Sequence, residues 1–309
     1  MRVVVAGLGV QGAKRLRVAG RDVVATVDPA VAGARYRRIE EVPLQSYDAV
    51  IASVPDHAKM ALLAYALGHG KHALVEKPLL AASDDDIRRL AELAAARGAV
   101  CYTAYNHRFE PHILRVRELV RSGALGRIYS VRLFYGNGTA RLVRESPWRD
   151  KGAGVLADLG SHLLDIVLFC FGRPESPFVV RAANRFENRA FDHVVLASEG
   201  HLSIQLEMTL LSWRNHFTAD VLAENGSAHV ESLCKWGPST FRHRIRVLPS
   251  GLPQESVVTL AHGDPTWEAE YAHFLGLCAS GAAPNPERDV WINAQVGRLA
   301  AEAISPRAA

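Results

Sequence analysis

The chain has 309 residues, and its 36 basic and 32 acidic residues leave a formal net charge of only +4. Because no basic block and no basic stripe with interleaved aromatic residues occurs, the composition argues against a nucleic-acid-binding protein. A hydrophobic content of 49% with 22% charged residues is typical of a globular protein with one large domain or two ordinary ones.

The first third of the chain alternates short β-branched runs with helix-compatible segments. Ser83, followed three residues later by Asp86, has the pattern of a helix start. This alternation predicts βαβ units around a mostly parallel sheet. The predicted strands are 3–5, 22–28, 48–54, 72–78 and 99–105, and the predicted helices are 10–18, 56–70 and a segment that begins after Ser83.

The turn between the first strand and the first helix contains Gly7, Gly9 and Gly12 in G-x-G-x-x-G spacing. Such glycines allow a tight turn, the approach of a pyrophosphate and close helix–strand packing, with the phosphates at the helix N-terminus. Asp28 ends the second strand, where a carboxylate accepts hydrogen bonds from an adenosine ribose and repels a 2′-phosphate. The pattern favours NAD over NADP, although arginines at 35, 37 and 38 keep NADP open; the alternative is a structural glycine turn with an unrelated surface aspartate.

The remaining two thirds begin with a helix-like segment at 111–126 and continue as short strands. Residues 201–208 alternate polar and apolar side chains, which is typical of an antiparallel sheet with one buried face. Residues 224–226, Glu-Asn-Gly, suit a hairpin turn. The predicted strands are 127–136, 178–186, 192–198, 201–210, 216–224, 227–232, 244–250 and 256–261, and the last predicted helices are 267–279 and 290–304.

These elements predict two domains. Residues 1–118 form an α/β Rossmann domain with a parallel sheet, and residues 119–309 form an α+β domain with a large, open, mostly antiparallel sheet. For the terminal helices, packing against the first domain is the alternative to packing within the second. The four cysteines are far apart and form no C-x-x-C, which argues against a disulfide framework or a zinc site. Because no signal peptide and no apolar span of about 18 residues is recognised, we expect a cytoplasmic protein.

Two further segments carry candidate chemistry. Glu76-Lys77-Pro78 ends the apolar run 72–75, and it is either a solvated turn or a place where a lysine charge is used. Asp158, His162 and Asp165 share one face of a predicted apolar helix because they lie four and three residues apart. They suit an ordinary hydrogen-bonded helix face, a metal site, or an acid/base pair in a substrate pocket.

The sequence resembles the Gfo/Idh/MocA oxidoreductases, the relatives of glucose–fructose oxidoreductase and inositol dehydrogenase. The segments GLGVQG, VEKPL, YNHRFEP and GAGVLADLGSHLLD occur in the family's order, and the resemblance covers nearly the whole chain. The first motif is shared with many Rossmann enzymes, whereas the last motif together with E-K-P is quite specific. The resemblance implies NAD or NADP as the cofactor and hydride transfer between the nicotinamide and a secondary hydroxyl or ketone.

By the same resemblance, Lys77, Asp158 and His162 are catalytic. His162 takes the hydroxyl proton, Lys77 stabilises the developing alkoxide, Asp158 holds a neighbouring hydroxyl, and no metal is needed. Pro78 is expected to follow a cis peptide. The implied substrate-binding residues are Lys77, Arg108, Arg144, Trp148, Arg149, Asp158, His162 and Asp165.

The cofactor contacts implied by the resemblance lie in five segments. One departure is Asp56, which stands where the family commonly has an asparagine and which cannot donate as an amide does. The implied cofactor-binding residues are Gly7, Leu8, Gly9, Val10, Gln11, Gly12, Asp28, Ser53, Val54, Pro55, His57, Glu76, Lys77 and Asn106.

The expected substrate is a sugar, a cyclitol or a nucleotide-linked sugar. Arg144, Trp148 and Arg149, just before the catalytic helix, suit a nucleotide or phosphate group, or are simply solvated residues of an arginine-rich chain. The expected assembly is a homodimer or homotetramer through the open sheet, with neither nucleic acid nor membrane as a partner. Two alternatives stay open: a non-catalytic dinucleotide-sensing protein and an NAD-dependent glycosidase that uses transient oxidation.

Overall fold

The computed structural model of the protein describes residues 1–146, 149–261, 263–282 and 284–304. The chain divides into two compact units, one of residues 1–106 with 266–294 and one of residues 107–265 with the residues from 295 onward. The boundary predicted from the sequence, after residue 118, lies inside a helix that this division assigns wholly to the second unit.

The first unit contains a five-stranded parallel sheet with the strand order β2-β1-β3-β4-β5. All residues of β1 and β3 are buried, because these central strands are apolar on both faces. The bounds are β1 Val3–Ala6, α1 Val10–Ala19, β2 Val23–Val27, β3 Ala49–Ala52, α2 Asp56–Gly68, β4 His72–Glu76, α3 Asp84–Ala96 and β5 Cys101–Ala104. The predicted parallel sheet and its helices are confirmed.

The start of α3 confirms the predicted cap. The Asp86 N–H donates to Ser83 Oγ at 3.2 Å, and the Asp86 carboxylate accepts the Ser83 N–H at 3.1 Å. This reciprocal pair satisfies two backbone donors that would otherwise lack partners at a helix start. It fixes the start of the helix that follows Lys77 and Pro78 in the chain.

The second unit contains an eight-stranded sheet with the order β13-β12-β11-β10-β6-β9-β8-β7. The β6–β9 pair is parallel and the other pairs are antiparallel. The strands are β6 Ile128–Gly136, β7 Val179–Asn184, β8 His193–Ser198, β9 Ser203–Thr209, β10 His216–Ala223, β11 Gly226–Glu231, β12 Ser239–Ile245 and β13 Gln254–Leu260. The helices are α4 Pro111–Arg121, α5 Ala140–Arg144 and α6 Ser161–Phe171.

One face of this sheet forms a core. Ile204, Leu206 and Met208 of β9 are buried and alternate with more exposed polar residues, as the period of two predicted. The predicted hairpin turn joins β10 to β11, where Ala223 pairs with Gly226. The prediction of a strand at 244–250 is wrong in its bounds. β12 ends at Ile245. Pro249 has no N–H to donate to a neighbouring strand, and the Leu248 side chain is exposed and not packed in the core.

Two helices follow β13: α7 Thr266–Ser280 and α8 Glu287–Ile304. Tyr271 and Phe274 of α7 pack in the core of the first unit with residues of β1, β3 and β5. In the second unit, Arg298 of α8 donates to the Phe178 carbonyl at 2.6 Å. Among the described residues, no helix combines the length and the apolar character that crossing a membrane requires.

Candidate active site

The glycine turn between β1 and α1 is built around two close approaches. Gly7 has φ +86°, and a Cβ on it would lie 2.3 Å from the Ser53 carbonyl oxygen. A Cβ on Gly12 would lie 1.8 Å from the Gly7 carbonyl oxygen. A Cβ on Gly9 would meet nothing within 4 Å. The chain itself therefore requires glycine at the first and third positions, whereas the second position faces open space.

Asp28 anchors this turn. Its Oδ2 accepts the Leu8 N–H at 2.8 Å, and its Oδ1 accepts the Ala30 and Val31 N–H groups at 2.8 and 3.0 Å. Burial acts to raise the pKa of Asp28, but the three N–H donors outweigh it, so the pKa lies below its usual value. An ionised carboxylate offers about four acceptor positions, and the chain uses three. One position is left for a ribose hydroxyl.

The region around the turn fits a dinucleotide. α1 begins at Val10 with no acidic residue in its first turn and no side-chain cap, so the positive helix end is not neutralised. Ser53 Oγ, at the end of β3, is buried and has no hydrogen-bond partner within the described residues. Val10 is 78% exposed although it is apolar. The other implied cofactor residues of these two turns range from half-buried to exposed: Leu8, Gln11, Val54, Pro55 and His57.

Glu76 closes β4 and belongs to a buried charge cluster of the first unit. Its Oε1 accepts the Arg15 Nε–H at 2.6 Å, and Arg15 also donates to Glu270 Oε2 at 2.7 Å. The Arg15 guanidinium lies over the Trp267 ring at 4.4 Å. The ribose contact of Glu76 stays a prediction, and the structure adds an internal partner that fixes its carboxylate directly before Lys77.

The peptide between Lys77 and Pro78 is cis, as the resemblance implied. Lys59, 2% exposed, donates to the Pro78 carbonyl at 2.7 Å and pairs with Asp56 at 2.7 Å. Burial lowers the pKa of Lys59, while Asp56 acts in the opposite sense. Asp56, which replaces the family's asparagine, therefore supports the lysine that holds the Lys77–Pro78 turn.

The pKa of Glu270 makes the free energy of unfolding of the first unit depend on pH. Burial raises this pKa to about 7, against the opposing effect of Arg15. An unfolded glutamate ionises near pH 4.3, so between those values the folded state binds more protons and the free energy of unfolding falls as pH rises. The loss is about 4 kcal/mol at most, since one pKa unit corresponds to about 1.4 kcal/mol.

We therefore expect that the free energy of unfolding of Glu270→Gln falls less with rising pH than that of the wild-type chain. Urea unfolding of the wild-type chain and the variant at pH 5 and pH 7.5 measures it. The exposed Glu92, replaced by glutamine, is the matched control and should leave the fall unchanged. Parallel profiles for wild type and Glu270→Gln would contradict the prediction.

In the second unit, Asp158 lies on a π-helical turn, Leu156–Gly160, that runs directly into α6. Such turns are rare and are frequently found at functional sites. The Asp158 carboxylate accepts a hydrogen bond from Arg149 at 3.2 Å, and both side chains are partly exposed. The substrate roles of Asp158 and Arg149 stay predictions. In the structure, the two side chains bind each other.

Asp165 and Arg108 form a bidentate ion pair. Arg108 Nε and Nη2 donate to the Asp165 carboxylate at 2.8–3.0 Å, and Asp165 is 1% exposed. Bidentate pairs fix orientation as well as charge. The pair ties the 3-10 turn Asn106–Phe109 to α6, so its evident contribution is to hold the helix that carries His162.

His162, 6% exposed, lies within a cluster of rings. The His107 ring stacks on it with centroids 3.9 Å apart and planes 20° apart, and the Tyr135 ring centroid lies 5.9 Å away. Lys235 Nζ lies 3.1 Å from His107 Nε2 and 3.1 Å from the Tyr135 hydroxyl. The histidine predicted as the base is thus surrounded by proton-exchanging groups.

Four residues of this region are not predicted from the sequence: His107, Glu110, Tyr135 and Lys235. Two of them lie in the YNHRFEP segment, in which the resemblance implies roles only for Asn106 and Arg108. Asn106 donates to Thr266 Oγ1 at 2.8 Å within the first unit. Lys235 had a weaker signal: it is one of only six lysines among 36 basic residues.

Two other predicted residues precede α6 in the chain, and Arg144 is the last residue of α5. Arg144 donates to the Glu187 carbonyl at 3.4 Å. Trp148 lies outside the described residues, so the predicted ring stacking stays a prediction. Within the described part of the chain, no three His, Cys, Asp or Glu side chains are grouped so as to hold a metal ion.

Comparison with known proteins identifies the family of the chain. Residues 1–105 match the model described as the oxidoreductase family with an NAD-binding Rossmann fold, and residues 113–229 match the GFO/IDH/MocA C-terminal domain. The chain belongs to the Gfo/Idh/MocA family. The resemblance inferred from the four motifs is therefore confirmed for both halves of the fold.

Individual Gfo/Idh/MocA relatives are distant. Glucose-6-phosphate 3-dehydrogenase of Bacillus subtilis is 26% identical over 48% of this chain and 43% of its own length. The Bacillus subtilis scyllo-inositol 2-dehydrogenase (NADP(+)) IolW is 30% identical over 35% of this chain and 30% of its own. The chain thus matches less than half the length of either relative. The solved UDP-N-acetylglucosamine 3-dehydrogenase of Acidithiobacillus ferrooxidans has a TM-score of 0.78, 18% identity and coverage of 98% and 97%, which shows the shared fold.

Proposed function

We propose that the protein is an NAD-dependent oxidoreductase that transfers a hydride between the nicotinamide and a secondary hydroxyl or ketone of a sugar or cyclitol. The observation that carries the proposal is the buried His162 in its cluster of ionisable groups, in a family whose first domain is described as NAD-binding. Two relatives with sugar and inositol dehydrogenase names support the substrate class.

The chain's own residues supply proton transfer, charge stabilisation and alignment. His162 takes the hydroxyl proton during oxidation and returns it during reduction. Lys77 stabilises the negative charge that develops on the same oxygen. Asp158 orients a neighbouring hydroxyl, and the Arg108–Asp165 pair keeps the helix of His162 in place. When bound, the cofactor supplies the redox chemistry itself.

The cofactor preference in the proposal is NAD, with NADP as the second choice. Asp28 places a carboxylate at the end of β2, and the arginines that follow are engaged elsewhere. Arg37 donates to the Pro29 carbonyl at 2.8 Å, Arg35 donates to the Val24 carbonyl at 3.3 Å, and Arg38 pairs with Glu41. The Asp28 carboxylate would repel a 2′-phosphate, and an arginine would have to leave its present partner to bind that phosphate.

The substrate in the proposal is recognised mainly through its hydroxyl groups. Arg149 and Arg144 already bind Asp158 and the Glu187 carbonyl, which weakens the argument for a dedicated phosphate or nucleotide contact. A nucleotide-linked sugar is therefore a second candidate substrate, which the screen described below includes. Location in the cytoplasm and assembly as a homodimer or homotetramer through the open sheet complete the proposal.

The deciding experiment is a spectrophotometric screen of NADH formation. The panel contains free sugars, cyclitols, sugar phosphates and nucleotide sugars, each offered with NAD and with NADP, and His162→Ala is the matched control. We expect NADH formation with at least one polyol class and none with the control. NAD binding without turnover would favour the dinucleotide-sensing alternative. Bond cleavage with tightly retained NAD and no net NADH would favour the glycosidase.

The glycine turn gives an independent test of the cofactor site. Gly12→Ala should destabilise the first unit by several kcal/mol, because its Cβ would lie 1.8 Å from a backbone oxygen. Gly9→Ala should change the free energy of unfolding by only about 1 kcal/mol or less, since nothing lies within 4 Å. It should nevertheless weaken NAD binding at least tenfold, because a pyrophosphate must approach the backbone there. Calorimetric NAD titration and urea unfolding measure both. Unchanged NAD affinity in Gly9→Ala would count against the assignment.

A further inference from the structure

Lys235 lies on a short 3-10 turn, Cys234–Trp236, between β11 and β12. Its ammonium contacts His107 Nε2 and the Tyr135 hydroxyl, both at 3.1 Å, and lies 4.6 Å from the centroid of the Trp236 ring. Burial lowers the pKa of Lys235 to about 8, with acidic neighbours acting in the opposite sense. The residue is therefore still mainly charged at neutral pH, at a half-buried position.

The turn that carries Lys235 is held firmly. Ser232, just before it, has φ 67°, a left-handed conformation that is costly for a residue other than glycine. The Cys234 thiol donates to the buried Glu110 carboxylate at 2.7 Å, and the Cys234 N–H donates to the same oxygen at 3.3 Å. Strain and buried hydrogen bonds at this place indicate that the position of the Lys235 side chain is specified.

We propose that Lys235 is a positioning residue for His162, acting through the ring of His107 to fix the plane of the base and to keep it uncharged. The inference rests on the proposed role of His162 as the general base. It adds a residue outside the four segments that carry the resemblance.

The first step of the argument concerns the tautomer of His107. A lysine ammonium has three donors and no acceptor, so the His107 Nε2 that faces it must accept and cannot carry a proton. His107 is then neutral, with its proton on Nδ1. The charge of Lys235 also opposes a second proton on this ring, since two adjacent cations with little water between them repel strongly.

The second step concerns the stack. The His107 and His162 rings lie nearly parallel with centroids 3.9 Å apart, so the orientation of one ring constrains the other. A proton on His162 would place a cation against a ring already held by the Lys235 ammonium. The neutral form of His162, which is the form that can accept a substrate proton, is therefore favoured.

Other charges around the cluster limit the size of this effect. Asp158 is an acidic neighbour of Lys235, but Arg149 partly neutralises it, and Arg108 neutralises Asp165. Asp264 and Glu110 act on Lys235, and burial raises the pKa of Glu110, which weakens its charge. Burial raises the pKa of the Cys234 thiol, which therefore carries no charge near pH 7. Lys235 is thus a cation that directly contacts the His107 ring of the stacked pair.

The test is an NMR titration of histidine-labelled full-length protein without cofactor, with His107→Gln and His162→Gln used to assign the two rings. Lys235→Met removes the charge at similar size, Lys235→Arg keeps it, and Lys151→Met is a matched control at an exposed lysine of the same unit. We expect Lys235→Met to raise the proton affinity of His162 about tenfold, which is one pKa unit. Lys235→Arg should restore most of the wild-type value, and Lys151→Met should change nothing.

The wild-type protein also gives a result that needs no variant. The nitrogen shifts of His107 should show an unprotonated Nε2 at neutral pH. A proton on that nitrogen, or an unchanged His162 titration in folded Lys235→Met, would overturn the inference. With an active substrate, the acid limb of kcat/KM should move to higher pH in Lys235→Met while NAD affinity stays constant. Absence of turnover in the screen would refute the proposed function alone, because the titration does not depend on it.

Discussion

His162→Ala is expected to reduce turnover at neutral pH by two to four orders of magnitude, because it removes the group that takes the substrate proton. Lys77→Ala should reduce turnover by at least two orders of magnitude, since it removes the charge that stabilises the alkoxide. Neither residue lies in the glycine turn, and Lys77 is only one of fourteen implied cofactor contacts, so calorimetric titration should find NAD affinity within about threefold of the wild-type value for both.

The two losses differ in their response to pH. Turnover by His162→Ala should recover partly at high pH, where hydroxide replaces the base, whereas Lys77→Ala should not recover in this way. The double variant should be little worse than the worse single variant, because groups that act on one step are not additive. His201→Ala and Lys151→Ala, both at exposed positions, are the matched controls. Near-normal turnover by His162→Ala at neutral pH would refute the assignment.

Local sequence patterns were sufficient wherever the deciding contacts are local. The Ser83–Asp86 cap, the hairpin turn at 224–225 and the alternation along β9 each depend on neighbours a few residues away. The glycine spacing likewise predicted the β1–α1 turn, because only glycine permits its close approaches. These elements follow from backbone sterics and from the burial of one face.

The supporting contacts of the site were not accessible in this way. Lys235 contacts a histidine 128 positions away, and Arg15 binds carboxylates 61 and 255 positions away. No periodicity relates such residues, because only the tertiary fold brings them together. The wrong bounds of β12 have the same origin, since its register is set by pairing with β11 and not by the apolar residues at 247–248.

Arg15→Met is expected to lower the free energy of unfolding by about 3–5 kcal/mol, as is typical when one partner of a buried ion pair is removed. Arg15 is 1% exposed and binds both Glu76 and Glu270, so its loss leaves two carboxylates in a dry environment. The loss should be larger at pH 8 than at pH 5, because at low pH the carboxylates can take up protons and become neutral.

Arg17→Met, an exposed position on the same helix, is the matched control and should change stability by no more than about 0.5 kcal/mol. Adding Glu270→Leu to Arg15→Met should recover part of the loss, since an apolar side chain replaces a buried charge that has lost its cation. Urea unfolding at both pH values measures all four proteins. A loss below 1 kcal/mol for Arg15→Met at pH 8 would show that the ion cluster does not stabilise the first unit. A large loss would show that the buried ion cluster, which includes Glu76 directly before Lys77, stabilises the first unit.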